Sequence, residues 1–135
     1  MKNRLFLVFL LFFSFLIFGD EKPKKIIAYY FHTTYRCATC LKIENSSKAA
    51  IEKYFKKEME EGKISFVSIN IEEENNRHYI QDYKLYTKSL ILSIVQGEKE
   101  VKWKNLDKVW LKIRNEEEFN NYIKEEVESF LNEIK

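Results

Sequence analysis

The sequence predicts an α/β domain on a central mixed sheet of about four strands with helices on both faces. Three observations carry that prediction. Short β-branched and aromatic runs alternate along the chain with longer segments whose apolar residues recur at helical spacing. The first two such runs are separated by a helix-length segment, which implies a parallel crossover, whereas the last two are joined by a tight turn, which implies an antiparallel hairpin. A basic start followed by the apolar run Leu5 to Phe18, interrupted only by Ser14, stands apart from this alternation as a leader.

The leader sets the domain boundaries. Lys2 and Arg4 precede the apolar run, as in a secretory signal, and the run is shorter than the roughly 20 apolar residues that span a membrane comfortably. It ends at Gly19 and Asp20 and then meets Lys22, Pro23, Lys24 and Lys25. Residues 1–19 are read as a signal peptide or N-terminal anchor and residues 20–135 as one folded domain. The expected location is exported, in the periplasm or on the extracytoplasmic face of the membrane, or secreted. Membrane contact is expected only through the N-terminal segment if it is not cleaved. The formal charge of +2 is carried entirely by Lys2 and Arg4. The domain itself is neutral with its signs interleaved, so nucleic acid is not expected as a partner, and a monomer is.

The elements follow in order. Lys25 to Phe31 reads as a buried strand. After a polar turn, Ile43, Ala50, Ile51, Tyr54, Phe55 and Met59 recur at helical spacing, predicting one helix from near Cys40 to about Glu61, with Gly62 as its terminator. Ile64 to Ile71 is the second strand. Glu72, Glu73 and Glu74 load the start of a short polar helix whose apolar side is Tyr79, Ile80 and Tyr83. Ser89 to Val95 is the third strand, and Gln96-Gly97-Glu98-Lys99 turns into a fourth, where Val101 and Trp103 alternate with charged residues as on an exposed edge. A short helical piece over 107–114 precedes a last helix. Asn115 and Glu118 are spaced to cap it, and its stripe is Phe119, Tyr122, Ile123, Val127, Phe130, Leu131 and Ile134. Strand, helix, strand, helix, strand, strand, helix is the core layout of a thioredoxin fold.

The only two cysteines lie together as Cys37-Ala38-Thr39-Cys40. Disulfides that stabilise small secreted domains close long loops, because the denatured-state entropy they remove grows with loop length; a bridge over two residues stabilises little. The pair therefore reads as redox-active. A thiol attacks only as its thiolate, and Cys37 at the start of the first helix has two sources of help, the helix N-terminus and its neighbour Arg36. Cys40, one turn further in, is expected to be shielded. Cys37 is assigned as the attacking thiolate and Cys40 as the resolving thiol. Tyr35, beside Cys37, is a candidate docking residue for partner proteins. The remaining strand aromatics, Tyr29, Tyr30, Phe31, Phe66 and Trp103, are read as core.

The segment Tyr30-Phe31-His32-Thr33-Thr34-Tyr35-Arg36-Cys37-Ala38-Thr39-Cys40, with Thr87-Lys88-Ser89-Leu90 and Lys102-Trp103-Lys104-Asn105-Leu106-Asp107, resembles a family of small exported bacterial thioredoxin-like proteins. Members are commonly labelled as a nitrophenyl-compound nitroreductase subunit. The resemblance implies a thioredoxin-like fold and a redox or metal-handling cysteine pair. The expected activity is that of a thiol-disulfide oxidoreductase acting on protein thiols or disulfides, with a membrane electron-transfer protein as one candidate partner. No cofactor is expected beyond the redox-active disulfide. Only three glycines occur and none forms a phosphate-cradling cluster, so nitroreduction would draw on a partner that carries the cofactor.

Departures from ordinary thioredoxins are informative. The dipeptide between the cysteines is Ala-Thr, no tryptophan precedes Cys37, and no acidic residue occupies the strand position that would serve Cys40. Thioredoxins resemble one another in a cis-proline facing the cysteines at the start of the third strand. Here Lys88 and Ser89 stand there, and the only proline is Pro23. A serine opens room for a ligand, which gives a rival reading: a soft-metal or metalloid module in which Cys37 and Cys40 are thiolate ligands, sufficient for Cu(I) but two short of a closed zinc site. His32 reads as a polar loop residue and His78 as solvent-facing.

Overall fold

The computed structural model describes residues 19–135; the apolar run Leu5 to Phe18, read above as a signal peptide or anchor, lies outside them. Lys24–His32 forms β1, the strand on which the rest is built. It pairs in parallel with β2 (Ile64–Asn70), Ile26 opposite Ile64 and His32 opposite Asn70. On its other side it pairs antiparallel with β3 (Ser89–Gln96), Phe31 opposite Ser89 and Tyr30 opposite Leu90. The turn at Gly97, with φ +63°, returns the chain as β4 (Lys99–Asn105). The strand order is β2-β1-β3-β4. With α1 (Ala38–Tyr54) crossing from β1 to β2 and α5 (Glu116–Ile134) closing the chain, this is a thioredoxin-like fold.

Period-two alternation splits the core between the two faces of the sheet. Ile26, Ala28 and Tyr30 of β1 and Leu90, Leu92 and Ile94 of β3 are buried beneath Ile43 and Ile51 of α1 and Phe119, Ile123, Val127 and Phe130 of α5. Phe31 and Ile91 point the other way, joined by Tyr83, Leu85 and the partly buried Tyr29, Tyr79 and Trp103. Among the described residues, α3 (His78–Asp82) and the loop after it pack on that second face. Asn115 caps α5 as expected, its Oδ1 accepting from the Glu118 N–H at 3.1 Å. Among the described residues no helix is long and apolar enough to cross a membrane.

Two elements differ from expectation. The helix expected to reach Glu61 breaks at Phe55, whose φ −129° and ψ 29° leave the helical region. Tyr54 and Phe55 both extend the stripe, three and four residues beyond Ile51, but the chain turns at Phe55, which is buried, and a five-residue helix, α2 (Lys56–Glu60), continues as a charged surface turn. The helix expected to start at Glu72 is delayed, giving a 3₁₀ turn at Glu74–Asn76 before α3. Asn70 Oδ1 accepts the Glu72 N–H at 3.0 Å, an Asx turn that competes with helix initiation. A four-residue helix, α4 (Val109–Lys112), stands where the piece over 107–114 was expected.

Candidate functional site

The parallel crossover requires the chain to leave β1 at the end of the sheet where β2 will also finish. The turn after His32 delivers Cys37 there as the N-cap of α1, in extended conformation with φ −73° and ψ 157°. Its Sγ accepts a hydrogen bond from the Cys40 N–H at 3.0 Å, the place a serine or aspartate oxygen fills in an ordinary cap. Cys37 and Cys40 are joined as a disulfide, their Cα atoms 5.0 Å apart. Cys40 is 1% exposed, whereas Cys37 is half-buried. No acidic residue lies in the first turn of α1 to oppose a negative charge on Cys37.

The core side holds Cys40 firmly. The Tyr30 hydroxyl donates to the Cys40 carbonyl at 2.8 Å from a fully buried ring. Burial pushes that phenol up to about 12, with the Arg36 charge pulling the other way, so it stays a donor across the physiological range. Arg36, expected to favour the Cys37 thiolate, is committed elsewhere. Its Nη2 meets the Glu44 carboxylate as an ion pair without hydrogen-bond geometry, its Nη1 donates to His32 Nε2 at 3.4 Å, and its Nε is buried without a partner. The second Glu44 oxygen accepts from the Ser68 hydroxyl. Because Thr33 O, 2.9 Å from His32 Nδ1, can only accept, and arginine can only donate, His32 carries its proton on Nδ1. Glu44 was missed by sequence reading. The available signal was its spacing, four residues beyond Cys40 and seven beyond Cys37, which puts it on their face of α1.

The solvent side is held by surface hydrogen bonds. Thr33 Oγ1 donates to Tyr35 O at 3.0 Å, the Thr34 N–H donates to Glu72 Oε2 at 2.9 Å, and Asn70 Nδ2 donates to Thr34 Oγ1 at 3.0 Å. The bonds from Thr34 hold the Glu72 carboxyl below its usual range, and the charges of Lys88 and Arg77 add to the effect. Lys88 stands at this end of the sheet, just before Ser89, and its carbonyl accepts from Trp110 Nε1 at 3.1 Å. Ser89 is buried opposite Phe31, its hydroxyl donating to Thr87 O at 2.9 Å. Every peptide bond among the described residues, the Lys88–Ser89 bond included, is trans.

Tyr35 is 76% exposed beside Cys37, and Tyr86, which sequence reading passed over, is 91% exposed on the loop entering β3 at the same end of the sheet. The structure thus brings Cys37, Cys40, Arg36 and Tyr35 together on one turn. Lys88 and Ser89 share that sheet end, but their hydrogen bonds go to other groups. His78 is exposed on α3 with Asp82 at 2.7 Å. Among the described residues no cluster of three or more His, Cys, Asp or Glu side chains could hold a metal ion.

No protein-family model matches the chain, and no curated protein does. Solved structures that resemble it include the germline-specific thioredoxin Deadhead of Drosophila melanogaster, at 18% identity and a TM-score of 0.40, over 59% of this chain and 67% of that one. A malarial protein aligns at 13% identity and a TM-score of 0.38, over 66% of this chain and 92% of its own. At these values the thioredoxin-like assignment rests on the strand order and directions of the sheet, and what the site can do rests on the pairing of a half-buried Cys37 at a helix start with a buried Cys40.

Proposed function

We propose that this protein is an extracytoplasmic thiol-disulfide oxidoreductase in which Cys37 exchanges with partner proteins and Cys40 resolves the mixed disulfide. The observation that carries the reading is the Cys40 N–H aimed at Cys37 Sγ at the first turn of α1. When the pair is reduced, that N–H and the helix dipole favour the Cys37 thiolate over its thiol.

In the oxidising direction for the pair, the Cys37 thiolate attacks one sulfur of a partner disulfide. The Cys37–partner bond forms, the partner S–S bond breaks, and the departing sulfur takes a proton. Cys40, deprotonated, then attacks Cys37 Sγ, forming the internal disulfide and releasing the second partner thiol. Two electrons have passed from the pair to the partner, and the reverse sequence oxidises a partner dithiol. Exposed Tyr35 beside Cys37 supplies apolar docking surface for such a partner. The family resemblance read from the sequence makes a redox subunit of a larger system the finer form of this proposal, with any nitro-group chemistry on a cofactor-bearing partner.

The test is a redox titration of the mature protein in defined thiol buffers, with free thiols counted by alkylation mass shift. A reversible midpoint between about −120 and −270 mV is expected; a value below about −300 mV marks a structural bridge and rejects the reading. Cys40→Ser is expected to trap mixed disulfides and Cys37→Ser to trap none. Thiols that resist oxidation but become protected by Cu(I) would replace exchange with the soft-metal reading.

A further inference from the structure

Arg36 is one residue from the exchanging cysteine, yet its charge is already balanced. Its side chain is 25% exposed and that of its partner Glu44 only 14%, and two guanidinium nitrogens, Nε and Nη2, are shielded from water. A shielded cation needs a counter-charge, and Glu44 supplies it. Glu44 is itself anchored by Ser68 on β2, and Arg36 is steadied by His32 at the end of β1. Glu44 sits seven residues beyond Cys37, two turns and about 10 Å along the axis of α1 by helical rise, and its carboxylate draws the guanidinium toward the helix body. That placement agrees with the influence of Arg36 on Tyr30, which is bonded to the Cys40 carbonyl.

Building on the exchange activity above, we propose that Glu44 is a positioning residue that sets the reduction potential of the Cys37–Cys40 pair by holding and neutralising the Arg36 guanidinium. Reduction of the disulfide by a dithiol consumes two electrons and one proton and leaves a Cys37 thiolate and a Cys40 thiol. The new negative charge appears beside Arg36. While Glu44 holds the guanidinium, the thiolate leans on the helix N-terminus alone; with Glu44 neutralised, Arg36 is released to pair with it. The reduced form then gains, and the protein becomes more oxidising. Direct repulsion between Glu44 and the thiolate would act in the same direction, and the Arg36→Gln background separates it, because it would persist there.

The experiment is the same titration on wild type, Glu44→Gln, Glu44→Asp, Arg36→Gln and the Arg36→Gln/Glu44→Gln double variant, with circular dichroism confirming the fold of each. Glu44→Gln is expected to shift the dithiol–disulfide equilibrium about tenfold toward the reduced form, about 30 mV for two electrons. Glu44→Asp, which keeps the charge, is expected to stay within twofold of wild type, and adding Glu44→Gln to Arg36→Gln is expected to change the equilibrium less than threefold. A Glu44→Gln value within twofold of wild type overturns the proposal. So does a tenfold effect that survives in the Arg36→Gln background, since Glu44 would then act without Arg36. Equal shifts in the Gln and Asp variants would show a structural role and reject it too. A wild type with no reversible midpoint would instead remove the exchange reading on which the proposal stands.

Discussion

The two faces of the sheet are built differently, and the cysteine turn is suspended between them. One face packs aliphatic side chains of β1 and β3 under the two long helices, α1 and α5. The other stacks aromatics under a helix of five residues: Phe31 lies 5.0 Å from Tyr79 and 5.3 Å from Tyr83, and Tyr83 meets the edge of Trp103 at 5.2 Å. Cys40 belongs to the first face, tied through Tyr30. The Thr33 to Tyr35 stretch belongs to neither and is tied to the far end of β2 by exposed hydrogen bonds. The difference suits a pair in which one sulfur is fixed and the other meets partners.

Phe130 belongs to the helix-covered face. It is nearly inaccessible between α5 and the sheet, so Phe130→Ala is expected to cost about 3–5 kcal/mol, read as a lower urea midpoint at unchanged slope. Tyr79→Ala on the aromatic face, where the ring is only partly buried, should cost less than half as much. Equal losses would mean that the two faces carry equal shares of the core.

Tyr30→Phe sharpens the contrast nearer the site. Losing the bond to the Cys40 carbonyl is expected to cost about 1 kcal/mol. The pH dependence follows from the raised phenol. Its contribution is complete below the ordinary value of 10.0 and is lost as pH rises toward about 12, because the unfolded chain releases the proton first. Stability of Tyr30→Phe should therefore fall less steeply than wild type across that window, measured by urea titrations at several pH values.

How much of this was legible in sequence depended on the range of the interaction. The strands, the last helix with its Asn115 cap and the position of the cysteines at a helix start all follow from local pattern. The break at Phe55 did not, because burying that ring is decided by the packed core. Nor did the late start of α3, because the Asn70 side chain's claim on the Glu72 N–H becomes visible only once β2 has ended there. At the site, sequence adjacency suggested that Arg36 serves Cys37. The pairing with Glu44 arises because α1 and its Cys37 cap place both cysteines and Glu44 on one face, with Glu44 anchored to Ser68 of β2 and Arg36 to His32 of β1.

The aromatic face also contains a removable penalty. Lys84 closes α3 with φ 52°, and the Leu85 N–H reaches back to Ile80 O at 2.9 Å, the arrangement in which glycine usually ends a helix. Lys84→Gly is expected to raise stability by up to about 1 kcal/mol, less the entropy glycine adds to the unfolded chain. A loss would show that the Lys84 side chain makes a contribution larger than its backbone cost.

The smallest expected effect tests the solvent-side tether itself. Glu72 holds the Thr34 N–H, and its carboxyl is lowered by that bond, so the tether is complete above the ordinary carboxylate range and fails as pH falls through the lowered value. Glu72→Ala should leave global stability almost unchanged while reducing the hydrogen-exchange protection of the Thr34 amide severalfold near neutral pH. Protection of the Cys40 amide, which is secured from the core side, should hold. If both amides lose protection together, the turn opens as one unit, and the fixed and free sulfurs would then owe their difference to burial alone.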